Sequence, residues 1–218
     1  MARRGTRTAA PAASEPAQSG ETGGSGTTRE RILEVALDLF IHKGYAETSL
    51  REIAAELGFS KAALYYHFES KQDILLALHV RVHGLTDGVL PMLQAEADAG
   101  DIWERLIDRL IGLALQNRRL IELHLRNQEA IAEIHRDAAA LEKHGPVRHD
   151  VDEYLLGLLR DPSLPLEGRV RRTASLGVIA AVLLAASAFA DVADADLEPA
   201  LRTVVHDVIE GPTEASGS

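Results

Sequence analysis

The sequence predicts an all-α protein: a small N-terminal three-helix domain holding a helix-turn-helix, then a larger C-terminal helical domain. Three observations carry this. Apolar residues recur at i, i+3, i+4 and i+7 along most of the chain, the spacing of one helical face. No stretch alternates apolar and polar residues as a half-buried strand does. Between Thr48 and Lys71, serines and a glycine fall where two short helices would start and stop.

Taken in order, residues 1–27 hold Ala, Gly, Ser, Thr and Pro, with Arg3, Arg4 and Arg7, and no large apolar side chain after Met1. Such a segment buries too little to offset its ordering entropy, so a disordered tail is expected. Its arginines read either as an arm for a DNA minor groove or as a solvated tail. A first helix then carries Ile32, Val35, Ala36, Leu39 and Phe40 on one face and stops at Gly44. Ser49 caps a second helix, and Glu52 three residues later completes a capping box. Leu50, Ile53, Ala54 and Leu57 form its apolar face, and Gly58 ends it.

Ser60 caps the third helix, from Lys61 to about Phe68. At about 100° per residue, Leu64 and Phe68 point inward. Ala62, Ala63, Tyr66 and His67 point outward, flanked by Lys61 and Tyr65. Two alanines, a tyrosine and a histidine suit an approach to DNA. Alanine lets the backbone come near base edges and thymine methyls, whereas Tyr, His and Lys reach phosphate oxygens. Ser70 caps a fourth helix opening at Lys71, whose N-terminus favours an anion. The candidate DNA-binding residues are Thr48, Ser49, Ser60, Lys61, Ala62, Ala63, Tyr65, Tyr66, His67 and Lys71.

The run Thr48-Ser49-Leu50, Ile53-Ala54, Leu57-Gly58, Ser60, Leu64-Tyr65-Tyr66-His67-Phe68, Ser70-Lys71 resembles the TetR family of bacterial transcriptional regulators over about Thr28 to Val80. The resemblance implies a homodimer whose N-terminal domains bind an inverted-repeat operator in double-stranded DNA and whose C-terminal domain senses a small molecule. The domain expectation is a tail at 1–27, a DNA-binding domain at 28–85, an effector-binding and dimerisation domain at 86–211, and a second disordered tail at 212–218.

Beyond Lys71 the pattern stays helical. Helices are expected from Lys71 towards Leu93 with a kink or end at Pro91, from Asp101 to Asn117, from Leu120 to Arg136, and up to Leu159 with a break near Gly145-Pro146. Two more are expected at Glu167–Ala190 and Leu197–Glu210. Thr173 to Ala190 is uncharged for 18 residues, the lower limit of a membrane span. Its Ala, Gly and Ser content and its lack of aromatic belts argue for a buried or interface helix instead. Gly177, Ala181 and Ala185 form an i, i+4 row of small residues that permits close helix approach. The family resemblance implies that this helix and the last one form the dimer interface.

Composition is that of an ordinary globular chain, 46% hydrophobic and 26% charged. No cysteine is present, which excludes disulfides, thiol redox sensing and zinc–thiolate sites. The formal net charge is −10. Residues 1–80 hold nine Lys and Arg against ten Asp and Glu, so the acidity lies mainly in the C-terminal part. Any positive surface is therefore local.

No nucleophile elbow, P-loop or dinucleotide glycine motif occurs, so no catalytic residue, cofactor or metal is expected. His79 and His83 share a face at i, i+4, as do His149 and Glu153, but the sequence places no third ligand. Three of nine aromatics (Trp103, Tyr154 and Phe189) fall in the C-terminal part. A mostly aliphatic effector pocket is expected, anchored among Trp103, Asn117, His124, Gln128 and Tyr154, with an apolar effector. The expected function is a cytoplasmic DNA-binding regulator, a ligand-released repressor. The alternative is a DNA-binding adaptor or activator that answers to a protein partner.

Overall fold

The computed structural model describes residues 27–95, 101–136, 150–189 and 191–211. Of the tail expected at 1–27, only Thr27 is described, and it caps α1; the rest of it with its arginines, the tail at 212–218, the break near Gly145-Pro146 and His149 lie outside the described residues. Every regular element among the described residues is helical.

Four helices open the chain: α1 (Thr28–His42), α2 (Leu50–Glu56), α3 (Lys61–His67) and α4 (Lys71–Gly84). Their starts follow from their caps. Thr27, Ser49 and Ser70 each close a capping box with Glu30, Glu52 and Asp73, and the Ser60 hydroxyl accepts from the Ala63 N–H at 3.1 Å. Two glycines make the stops. Gly44 (φ +98°) and Gly58 (φ +67°) take left-handed backbone, which side-chain-bearing residues rarely adopt. At Gly58 the Phe59 N–H donates to the Ala54 carbonyl at 2.8 Å and the Gly58 N–H to Ala55 at 3.1 Å. This double closure turns the chain sharply into α3.

The C-terminal part holds α5 (Val89–Ala95), α6 (Ile102–Gln116), α7 (Arg118–Arg126), α8 (Gln128–Arg136), α9 (Asp150–Leu159), α10 (Leu166–Leu184), a 3₁₀ turn (Ala186–Phe189) and α11 (Asp194–Glu210). Three expectations change. Pro91 lies in the first turn of α5 and does not end α4; the chain turns earlier, at residues 85–88. Proline is tolerated there because a first-turn N–H has no intrahelical acceptor. The helix expected over Leu120–Arg136 is two helices broken at Asn127. The Asn127 amide donates back to the Leu123 carbonyl at 2.8 Å, and Asn117 does the same to Leu113 at 2.9 Å. Such local bonds compete with the helical ladder. The helix expected to reach Ala190 stops at Leu184. No helix among the described residues is long and apolar enough to cross a membrane.

One core joins α1–α4 to α7 and α8: Ile32, Leu33, Phe40, Ile53, Leu64, Phe68, Ile74 and Leu78 pack with Leu120, Leu123, Ile131 and Ile134. A second core holds Trp103, Ile107 and Ile111 of α6 against α10 and α11. A third joins α5, α6 and α9 through Val89, Leu93, Leu106 and Val151. Thus α4 is packed on both sides, against α1 and against α7 and α8. The expected boundary at residue 85 falls just past the end of α4, yet the hydrophobic contacts run across it.

Candidate nucleic-acid interface

The third helix divides as its periodicity predicts. Leu64 is fully buried and Phe68 nearly so, while Lys61, Ala62, Ala63, Tyr65 and Tyr66 are exposed. Tyr66 is 86% exposed, the extreme among the exposed large apolar or aromatic side chains of the described residues. A large aromatic standing this free has lost burial worth about 1.5–3 kcal/mol, which a partner surface would recover. The His67 ring meets the Tyr66 ring edge-on, centroids 5.2 Å apart. The Lys61 ammonium sits 5.3 Å from the Tyr65 ring centroid, a cation–π contact that orients the lysine along the helix.

Other candidates position this helix. Thr48, expected at the surface, is 2% exposed. Its hydroxyl donates to the Gly44 carbonyl at 2.8 Å, so it fixes the α1–α2 turn and does not face outward. Lys71 is also turned inward. Its ammonium donates to the carbonyls of Tyr45 at 2.7 Å and Ala46 at 2.9 Å and lies over the Tyr45 ring. The anion site expected at the start of α4 already has a carboxylate: Asp73 accepts from the Ser70 N–H at 3.0 Å and the Glu69 N–H at 3.1 Å. Ser49 serves its capping box, where its hydroxyl donates to Glu52 at 2.7 Å. Glu52 also pairs with Lys43. The Lys43 hydrogen bond, then those of Ser49, hold the Glu52 carboxyl down to about 2. The sequence showed the outward face but not these inward-turned partners, which lie up to 26 residues away.

The five residues expected to line one effector pocket do not converge. Trp103 is fully buried in the α6–α10–α11 core beneath the Arg172 guanidinium. Asn117 caps α6, Gln128 donates to the His124 carbonyl, and Tyr154 packs with the α5–α6–α9 core. His124 faces His79, their Nδ1 atoms 3.1 Å apart. The α5–α6–α11 region instead holds a cavity of about 600 Å³. Leu85, Val89, Leu93 and Leu113 make its apolar wall, and Arg105, Arg109, Arg202, Asp108 and Glu198 its polar one. Arg202 is engaged by both Asp108 and Glu198. This cavity is amphipathic, unlike the aliphatic pocket expected.

Gly177, Ala181 and Ala185 are all exposed in the single chain. Around them Leu166 (70%) and Val170 (57%) on α10, and Val204 (49%) on α11, are uncovered. A Cβ at Gly177 would touch nothing within 4 Å.

Residues 32–78 match the model of the family described as bacterial regulatory proteins, tetR family. Over 91 residues the chain is 33% identical to the uncharacterized HTH-type transcriptional regulator YerO of Bacillus subtilis (strain 168), covering 42% of this chain and 31% of that protein. It is 46% identical over 46 residues to IcaR of Staphylococcus aureus (strain Newman), described as the HTH-type negative transcriptional regulator of the biofilm operon icaADBC. That match covers 21% of this chain and 25% of IcaR. These matches thus span about a third or less of the relatives' lengths. The crystal structure of Mycobacterium smegmatis AmtR is similar along most of both chains, with a TM-score of 0.60, 25% identity, and 89% and 92% coverage.

Proposed function

The chain belongs, through its helix-turn-helix domain, to the tetR family of bacterial regulatory proteins, and we propose that it is a dimeric, sequence-specific DNA-binding repressor released by a small molecule. The observation that carries the reading is α3: a capped helix with a fully buried Leu64 behind it and an uncovered Lys61-Ala62-Ala63-Tyr66 face in front. A helix presented this way fits the major groove, with small residues against base edges and polar ones towards phosphates. In this role Lys61, Ala62 and Ala63 set base preference, and Tyr66 and His67 set affinity. Thr48 and Lys71 act at one remove, by holding the loop that carries α2.

Two copies would join through the uncovered small-residue face of α10 and the neighbouring α11. A two-fold dimer then reads an inverted repeat whose half-sites lie about one helical turn apart. The effector would enter the amphipathic cavity beside α5 and α6, and its chemistry follows the walls: an apolar body with a polar or charged head. Because α4 packs against α1 and also against α7 and α8, a shift of that packing would change the spacing of the two α3 helices. Such coupling is typically about 1–3 kcal/mol.

Genomic footprinting with the purified protein tests the reading. The expected result is protection of inverted repeats, competed off at high salt in proportion to the phosphate contacts made. Protection with no common sequence would reduce the protein to a non-specific binder. Specific protection by a protein that later responds only to another polypeptide would favour the adaptor reading.

A further inference from the structure

We propose that His79, His83, His124 and His135 form a binding site for a divalent transition-metal ion of the zinc type, at the junction of α4 with α7 and α8. His79 and His83 share one face of α4, and their spacing alone supplies two ligands. The fold supplies two more, His124 from α7 and His135 from α8. Ring centroids lie 4.5 Å apart for His79–His83, 4.7 Å for His79–His135, 5.1 Å for His79–His124 and 5.9 Å for His83–His124. Four imidazoles bound at the usual nitrogen–zinc distance around a tetrahedron have centroids about 5 Å apart. These four of the six pair spacings bracket that value. The His79 and His124 Nδ1 atoms, 3.1 Å apart in nearly parallel rings, are separated by close to the edge length of such a tetrahedron. Histidine χ2 wells are broad, so turning the nitrogens onto one centre costs little.

Two further features suit an ion. Four neutral imidazoles are the donor set preferred by zinc, nickel and copper over magnesium or calcium. A carboxylate stands behind one of them: Asp152 of α9 lies 3.5 Å from His83 Nδ1. A proton held there leaves Nε2 as the donor, the arrangement by which a carboxylate orients a metal-bound histidine.

An ion here would tie α4, which leads out of the helix-turn-helix domain, to α7 and α8. The metal site itself does not depend on the DNA-binding reading. A separate grouping of Glu104, His206 and Glu210 brings its ligand atoms within 4.8 Å and serves as the internal control.

The test uses the full-length chain after chelator treatment, titrated with zinc chloride by calorimetry and with cobalt chloride by visible absorption. One ion per chain is expected at the histidine junction, with the visible bands of four-coordinate cobalt and a raised melting temperature. His124→Ala should weaken zinc binding at least tenfold, and His206→Ala should leave that site unchanged. Asp152→Asn, at a half-exposed side chain, should weaken it about 10- to 100-fold, and it decides the matter if His124→Ala does not fold. No zinc binding by the unmodified chain overturns the proposal. So does binding that persists unchanged in His124→Ala, or, where that variant is unfolded, in Asp152→Asn.

Discussion

The Lys71 ammonium reaches back across 26 residues to the Tyr45 carbonyl, 2.7 Å away. With its second bond to Ala46 and its place over the Tyr45 ring, it ties the start of α4 to the loop between α1 and α2. A charge-assisted bond to a part-buried carbonyl contributes about 1.5–3 kcal/mol. Lys71→Met keeps the aliphatic stem and removes the donor. Thermal unfolding should show a stability loss of that order. DNA binding should weaken with no change in the dependence on salt, because no phosphate contact is lost. A salt slope reduced by about one unit would instead make Lys71 a phosphate contact.

Tyr66→Phe removes one hydroxyl from a side chain that is 86% exposed. Folding stability should stay within about 0.5 kcal/mol, as for surface changes away from special features. Affinity should fall by a similar factor on every sequence, measured by fluorescence anisotropy on a panel of single-base operator variants. A change of preference at one base pair would make Tyr66 a reader of sequence.

Much of the helix-turn-helix was legible because its signals are local. A capping serine and its glutamate lie three residues apart, and Gly58 sits one residue beyond the α2 cap, so neighbours in sequence settle each boundary. The outward set on α3 followed from the same short-range arithmetic. What escaped was long-range. Nothing near Lys71 says that its ammonium turns towards residues 45 and 46. Nothing near His79 says that His124 will stand against it. The break at Asn127 was written in one side chain, but an asparagine within a helical pattern is equally compatible with a solvated position. The residues expected to share one effector pocket stand apart because rotation of each helix about its axis decides which residues share a cavity. Trp103 turned into the core, and Arg105 and Arg109 of α6 came to line the cavity beside α5.

Acid should loosen the α4–α7–α8 junction. The His124 ring titrates near 4 in the folded chain, against 6.5 ordinarily. Between these values the unfolded chain binds more protons, so stability rises with pH there and is flat above the upper one. The contribution is fully present above about pH 6.5 and is lost as pH falls towards 4. The rings of His79, His83 and His135 and the Asp152 carboxylate surround this group. Urea midpoints for the chelator-treated protein should drop from pH 7 to pH 5 by more than those of His124→Gln. Parallel curves for the two proteins would mean that burial does not hold this ring neutral.

If two copies join through α10 as proposed, Ala181→Arg should convert the dimer to a monomer without unfolding it. Ala181 is exposed on the protomer, one turn from Gly177 on a face that also shows Leu166, Val170 and Leu184. Among the described residues nothing covers this face, so an arginine there is solvated in the monomer and costs the fold little. In a dimer joined through the row, the same guanidinium would be buried without a partner, at a cost of about 3–5 kcal/mol. That corresponds to a dimer dissociation constant raised by two to three orders of magnitude or more. Sedimentation velocity should show monomers at concentrations where the unmodified chain is dimeric, with helix content by circular dichroism unchanged. Operator binding should weaken along with it, since each half-site would then be bound alone. A stable dimer in the variant would move the interface off α10.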